Sequence, residues 1–132
     1  MFTRPFMEYL DRGEGSCPLA DPTLAELVAK SLRQFDGDRY HLGDFVVMPN
    51  HVHVLVCLRG QTALEPLCRS WKKFTATEIN RQQGRRGKFW QSESFDHLVR
   101  TPEQFSYLQR YIADNPGKAG LRLGRYLLHS LA

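Results

Sequence analysis

The strongest constraint on the fold of this chain lies between Tyr40 and Leu58, where two β-rich runs flank a Pro49-Asn50 turn signal. In the second run Val52, Val54, Val56 and Leu58 alternate with His51, His53, Leu55 and Cys57. A period of two places the first set on one face of a strand and the second set on the other. The pattern predicts a hairpin whose valine face meets a core and whose opposite face carries two histidines, roughly 7 Å apart by strand rise. Imidazoles at that spacing can share one metal ion. A lone His-x-His pair is more often just part of a half-polar strand face, so its meaning depends on what the rest of the chain brings to it.

Helices are expected on both sides of the hairpin. Asp21 reads as an N-cap with Pro22 in the first turn, and Leu24, Leu27, Val28, Leu32 and Phe35 follow at helical spacing until Gly37. From Thr62 to about Gln83 the period is helical again, with Leu64, Leu67, Cys68, Trp71, Phe74 and Ile79 facing inward. Ser94 to Val99 reads as a short strand. Thr101-Pro102-Glu103 opens a last helix that runs to Asp114 or Asn115, where Pro116 is expected to end it. Residues 1–20, with Pro5, Gly13, Gly15 and Pro18, read as an irregular lead-in; residues 121–132 read as a short basic tail. The order α-β-β-α-β-α predicts an α+β sandwich, helices packed on an antiparallel sheet, with residues 21–132 forming a single domain.

Three cysteines, Cys17, Cys57 and Cys68, are odd in number and form no CxxC pair. That pattern argues for reduced thiols in a cytoplasmic protein and against a disulfide framework. The N-terminal residues lack the apolar core of a signal peptide, and no run approaches the ~18 apolar residues of a membrane span. Charge is unevenly spread. Residues 1–50 hold 5 Lys/Arg and 8 Asp/Glu (−3), whereas residues 51–132 hold 13 and 6 (+7). A basic half with Trp71, Phe74, Phe89 and Trp90 among its charges suits a polyanion such as nucleic acid.

The last helix supplies a second signal. Tyr107, Tyr111 and Asn115 stand four residues apart and share a stripe, beside a core-facing stripe of Phe105, Leu108 and Ile112. Tyr111 flanks the apolar face and Tyr107 points further from it. His41, His97 and Asn115 are the candidates for a third metal ligand. An HExxH zinc motif is absent.

Met48-Pro49-Asn50-His51-Val52-His53-Val54-Leu55-Val56, followed by Tyr111-Ile112-Ala113-Asp114-Asn115-Pro116-Gly117-Lys118-Ala119-Gly120-Leu121, resembles the IS 200-like transposases, and within them the REP-associated tyrosine transposases. Ser70-Trp71-Lys72-Lys73-Phe74-Thr75, Phe89-Trp90-Gln91 and Phe95-Asp96 fit the same branch, so the resemblance spans roughly residues 22–126. It implies a ferredoxin-like sandwich with the tyrosine helix over the histidine face. It also implies Tyr111 as nucleophile, and His51 and His53 as ligands of a divalent metal, Mg²⁺ or Mn²⁺, with Asn115 as the third. The family's first strand has few counterparts here, only Met1-Phe2 and Phe6 to Leu10, which leaves open whether that strand is present. Gly117 replaces a residue that is commonly larger, so a looser turn is expected after Asn115.

The implied reaction is cleavage and rejoining of single-stranded or hairpin DNA through a 5′-phosphotyrosine. A tyrosine phenol, with a reference pKa near ~10, is a poor nucleophile until positioned and deprotonated. Recognition falls to Arg69, Lys72, Lys73, Arg81, Arg85, Arg86 and Lys88 along the backbone, with Trp71, Phe89 or Trp90 available to stack on bases; helical spacing with Leu67 argues instead that Trp71 and Phe74 are core. The implied protein is bacterial, nucleoid-associated, and a monomer or homodimer. Two other readings stay open. A domesticated copy would bind structured single strands without cutting, and a metal-dependent phosphodiesterase would use water and survive loss of Tyr111.

Overall fold

The computed structural model describes residues 4–12, 17–92 and 95–131; Met1-Phe2, Gly13, Gly15 and Ser94 lie outside them. In chain order the elements are β1 (Arg4–Asp11), a 3₁₀ turn (Pro18–Ala20), α1 (Pro22–Arg33), β2 (Tyr40–Val47), β3 (His51–Leu58), α2 (Leu64–Gln83), β4 (Phe95–Leu98), α3 (Pro102–Lys118) and β5 (Leu127–His129). The strands form one antiparallel sheet in the order β4-β1-β3-β2-β5. The first six elements other than the 3₁₀ turn make the βαββαβ pattern of a ferredoxin-like domain. α1 and α2 bury Val28, Leu32, Leu67 and Trp71 against Val52, Val54, Val56 and Leu58, on one face of the sheet. α3 packs Ile112, with Phe105 and Leu108, against Leu55, Val46 and Met7 on the other.

The irregular lead-in expected over residues 1–20 is corrected by β1. It pairs with β3 along its whole length, from Arg4↔Leu58 to Asp11↔His51, and with β4 on its other edge. It lies inside the sheet, so both its edges are paired. Phe6, Glu8 and Leu10 point one way; Met7, Tyr9 and Asp11 point the other. Glu8, a buried carboxyl in the middle of the core face, breaks the apolar alternation that would have announced a strand.

Other boundaries shift for local reasons. Phe74 is 45% exposed, and Thr75 takes the inward place, its hydroxyl donating to Trp71 O (2.7 Å) and accepting from Trp90 Nε1 (2.8 Å). Pro116 does not end α3, which continues to Lys118. A proline forfeits one backbone bond and disturbs the carbonyl four residues back. Here that loss falls in the last turn, Pro116 is buried, and Ala119 N→Asn115 O (3.1 Å) and Leu121 N→Pro116 O (3.0 Å) close the end. The loose turn expected after Asn115 is therefore helix. Gly117 lies within it, and an added Cβ would meet nothing within 4 Å. Gly117→Ala is expected to raise stability by about 0.5–1 kcal/mol in urea unfolding, since glycine gives up more chain entropy in a helix.

The expected basic tail contains β5, three residues too few to show a period, paired on β2. Asp44 fastens this end. It sits where the β2–β3 register shifts, and its buried carboxylate accepts from Gln109 Nε2 (2.9 Å), Leu131 N (3.2 Å) and Ser130 Oγ (3.4 Å). One side chain thus ties α3 and the residues after β5 to the sheet. Among the described residues no helix is long and apolar enough to cross a membrane.

Candidate active site

The β2–β3 turn sets the position of both histidines. Pro49-Asn50 is closed by Met48 N→His51 O (2.8 Å), which starts β3 at His51 and points His51 and His53 to the α3 face. The two rings stand 5.0 Å apart at 82°. α3 crosses above them. The Tyr111 ring meets His53 edge-on at 5.3 Å, and one turn later the Asn115 side chain is a hydrogen-bond partner of His51. The structure thus brings His51, His53, Tyr111 and Asn115 together, while Tyr107 points outward, 58% exposed.

Two further residues come from β1, whose register sets Tyr9 opposite His53 and Asp11 opposite His51. The Tyr9 ring lies 4.8 Å from His53 and 5.3 Å from His51. Reading residues 1–20 as irregular hid both, since only strand register with β3 reveals them. Asn50 was visible in the motif, but not as a partner. Its Oδ1 accepts from His51 Nδ1 (2.8 Å), which fixes the tautomer and leaves Nε2 with its lone pair.

Burial, helped by the neighbouring His51, pushes His53 down to about 4. Burial lowers His51 too, against the raising effects of Asp11 and Asn115. Burial, then Asp11 and Tyr111, raises the Tyr9 phenol. Both imidazoles are therefore neutral near pH 7, the form in which histidine binds a metal.

These residues fit a divalent ion. His53 Nδ1 is buried with no hydrogen-bond partner, an orphan that a metal or its bound water would satisfy. Among the described residues no three His, Cys, Asp or Glu side chains converge, so a third protein ligand has to be of another type, and Asn115 is placed for it. Neither of the other two candidates converges on the pair. His41 is exposed and pairs with Cys57, six residues along β3 from His51 and about 20 Å away by strand rise. His97 Nε2 is engaged by Gln104 Nε2 at 2.6 Å.

The basic residues divide between two sides of the molecule. Arg69, Lys72 and Lys73 lie on α2, across the sheet from α3. Arg69 pairs with Glu65 (2.6 Å), and Lys72 Nζ donates to Gln91 O (2.9 Å). Arg85, Arg86 and Lys88 are exposed on the turn after α2. That turn leads to Gln91, whose N–H donates to Asp11 O (2.8 Å), and Arg85 acts on the charge of Arg12. It therefore reaches the Asp11 end of the histidine face. The expected base-stacking aromatics are corrected: Trp71, Phe89 and Trp90 are 3%, 2% and 4% exposed, and all three belong to the core.

A ferredoxin-like sheet with paired histidines on one face and a tyrosine helix over them defines the class to which this chain is compared. The family model described as "Transposase IS200 like" matches residues 21–115, and the chain belongs to that family of transposases. No curated protein matches it. Among solved structures, a REP-associated tyrosine transposase bound to a REP hairpin is similar in fold, with a TM-score of 0.72 and 22% identity over 91% of this chain and 70% of that one. A putative transposase from Deinococcus radiodurans R1 gives a TM-score of 0.61 and 16% identity, covering 86% of this chain and 92% of that one.

Proposed function

We propose that this transposase cleaves and rejoins single-stranded DNA at hairpins through a 5′-phosphotyrosine on Tyr111, with a divalent ion held by His51, His53 and Asn115. The observation that carries the reading is the convergence of Tyr111 on His53 and of Asn115 on His51 across two separate elements. The fold match to a transposase bound to a REP hairpin supports hairpin DNA as substrate.

The chemistry follows from these side chains. Tyr111 Oη attacks phosphorus and gives up its proton; the P–O3′ bond breaks, and the departing 3′ oxygen takes a proton to become a hydroxyl. A divalent ion, when bound, polarises the phosphate and neutralises charge on its oxygens. The phosphotyrosine ester keeps the phosphodiester's energy, so attack by a second 3′-hydroxyl restores a strand without ATP. His53 and Tyr9 pack around the reacting phenol, and Asn50 holds the His51 ring.

The decisive assay incubates the chain with labelled hairpin single strands and Mg²⁺ or Mn²⁺. Cleavage with a denaturation-resistant protein–DNA adduct is expected; cleavage without any adduct would assign the attack to water and overturn the tyrosine reading. A copy that binds without cutting was favoured by a missing first strand. β1 stands inside the sheet, so the fold no longer favours that reading.

The charge layout refines the expected DNA contacts. Arg85, Arg86 and Lys88 follow the backbone beside the histidine face, and Lys72 reaches the same turn at Gln91, whereas Arg69 and Lys73 would meet only DNA that reaches around the sheet. Arg85→Ala is expected to weaken hairpin binding and lower the salt slope of the binding constant by roughly 0.7–0.9. Arg69→Ala is expected to leave that slope unchanged. Equal slopes for the two variants would refute this division.

A further inference from the structure

We propose that the cavity between α3, β1 and β4 is a subsite for one unpaired nucleobase flanking the scissile phosphate, stacked on Tyr107 and read at its edge by His97 and Gln104. The inference rests on the transposase reading above and extends it to a base the site holds.

The cavity has a volume of about 330 Å³ and shares His53 and Tyr9 with the candidate active site. It is thus continuous with the place where the phosphate would react. Tyr107 stands four residues before Tyr111 on α3, about 6 Å along the axis. Its ring is more than half exposed, with no core to fill, at the rim of the cavity. An aromatic face offered to solvent one step from a nucleophile suits a base taken out of its stack.

The polar lining selects among occupants. No Lys or Arg lines the cavity among the described residues, so a phosphate group would find no counter-charge there. Gln104 is held in one orientation, its Oε1 accepting from Arg100 N (2.8 Å) and its Nε2 placed to donate to His97 Nε2 (2.6 Å). That arrangement puts the His97 proton on Nδ1. What the pair has left is a second amide N–H and an imidazole N–H, both donors. Every base edge presents an acceptor to such donors, a carbonyl oxygen or a ring nitrogen, so the lining suits a nucleobase.

The test uses the full chain without added metal and a library of single strands, each with one hairpin and randomised nucleotides on both flanks. Replacing the flanking bases one at a time by abasic residues is expected to weaken binding at one position. Tyr107→Ala should weaken binding roughly 5- to 150-fold, and an abasic residue at that position should add nothing further to the loss. Tyr107→Phe should bind like the native chain. His97→Ala should weaken binding of the intact strand and leave binding of the strand abasic at that position unchanged. Tight binding with no position sensitive to removal of its base, native affinity in Tyr107→Ala, or additive losses would overturn the subsite while leaving the transposase reading intact. Failure of the native chain to bind any hairpin strand would overturn both.

Discussion

Replacing Tyr111 by phenylalanine is expected to slow strand cleavage by on the order of 10⁴-fold or more and to remove the covalent adduct, with hairpin binding retained. The size follows from the role. A nucleophile acts only in the reacting complex, so its loss falls on the chemical step and not on affinity. The substitution is well matched to the site, because phenylalanine keeps the edge-on packing against His53 and deletes only the phenolic oxygen. Single-turnover gels with denaturation, beside a binding titration, measure both quantities. An adduct that persists would move the nucleophile to another phenol, and Tyr9, in ring contact with both histidines, would be the first to replace. Cleavage that persists without an adduct would make this a phosphodiesterase using water.

The half of the site on β3 and α3 was legible because each part obeys a local period. His51 and His53 alternate with the valines of a strand, and Tyr111 and Asn115 lie one helical turn apart. Their meeting could not be derived from spacing alone. It depends on α3 crossing the sheet face opposite α1 and α2, which the resemblance implied and the packing of Ile112 on Leu55 realises. The half on β1 was invisible. Tyr9 and Asp11 reach the histidines only through strand register, and an interior strand that buries a carboxylic acid does not look like a strand in sequence. The basic residues were legible as a charge excess but not as a layout. Which of them sits beside the histidine face is decided by the turn after α2 binding back, through Gln91, to the end of β1. Trp71, Phe89 and Trp90 show the same limit in reverse, since an aromatic among charges reads equally as a stacking surface or as core until its neighbours are known.

The carboxylic acid that disguised β1 carries the largest expected effect on stability. Glu8 is 1% exposed, and the groups facing it are Cys68 and Lys72 of α2 and Asp96 of β4. Cys68 Sγ donates to its Oε1 at 3.3 Å. Burial first, and Asp96 in addition, raise its pKa to about 7, against the lowering effects of Cys68 and Lys72. A raised carboxyl means that the folded chain keeps a proton that the unfolded chain has released. Between the ordinary value of 4.5 and about 7 the folded state therefore binds more protons, and stability falls as pH rises through that window. The shift corresponds to about 3 kcal/mol, present in full below 4.5 and lost above 7. His53 works in the opposite sense. Held near 4 instead of 6.5, it adds stability above 6.5 that disappears as pH falls toward 4. Over the shared range the two slopes offset, so the native profile hides both. Glu8→Gln should unmask the histidine: in urea titrations with a chelator present, its stability relative to the native chain should rise by about 3 kcal/mol from pH 4.5 to pH 7.5. Parallel profiles for the two proteins would show that Glu8 keeps an ordinary carboxylate inside the sheet, with Lys72 as its counter-ion.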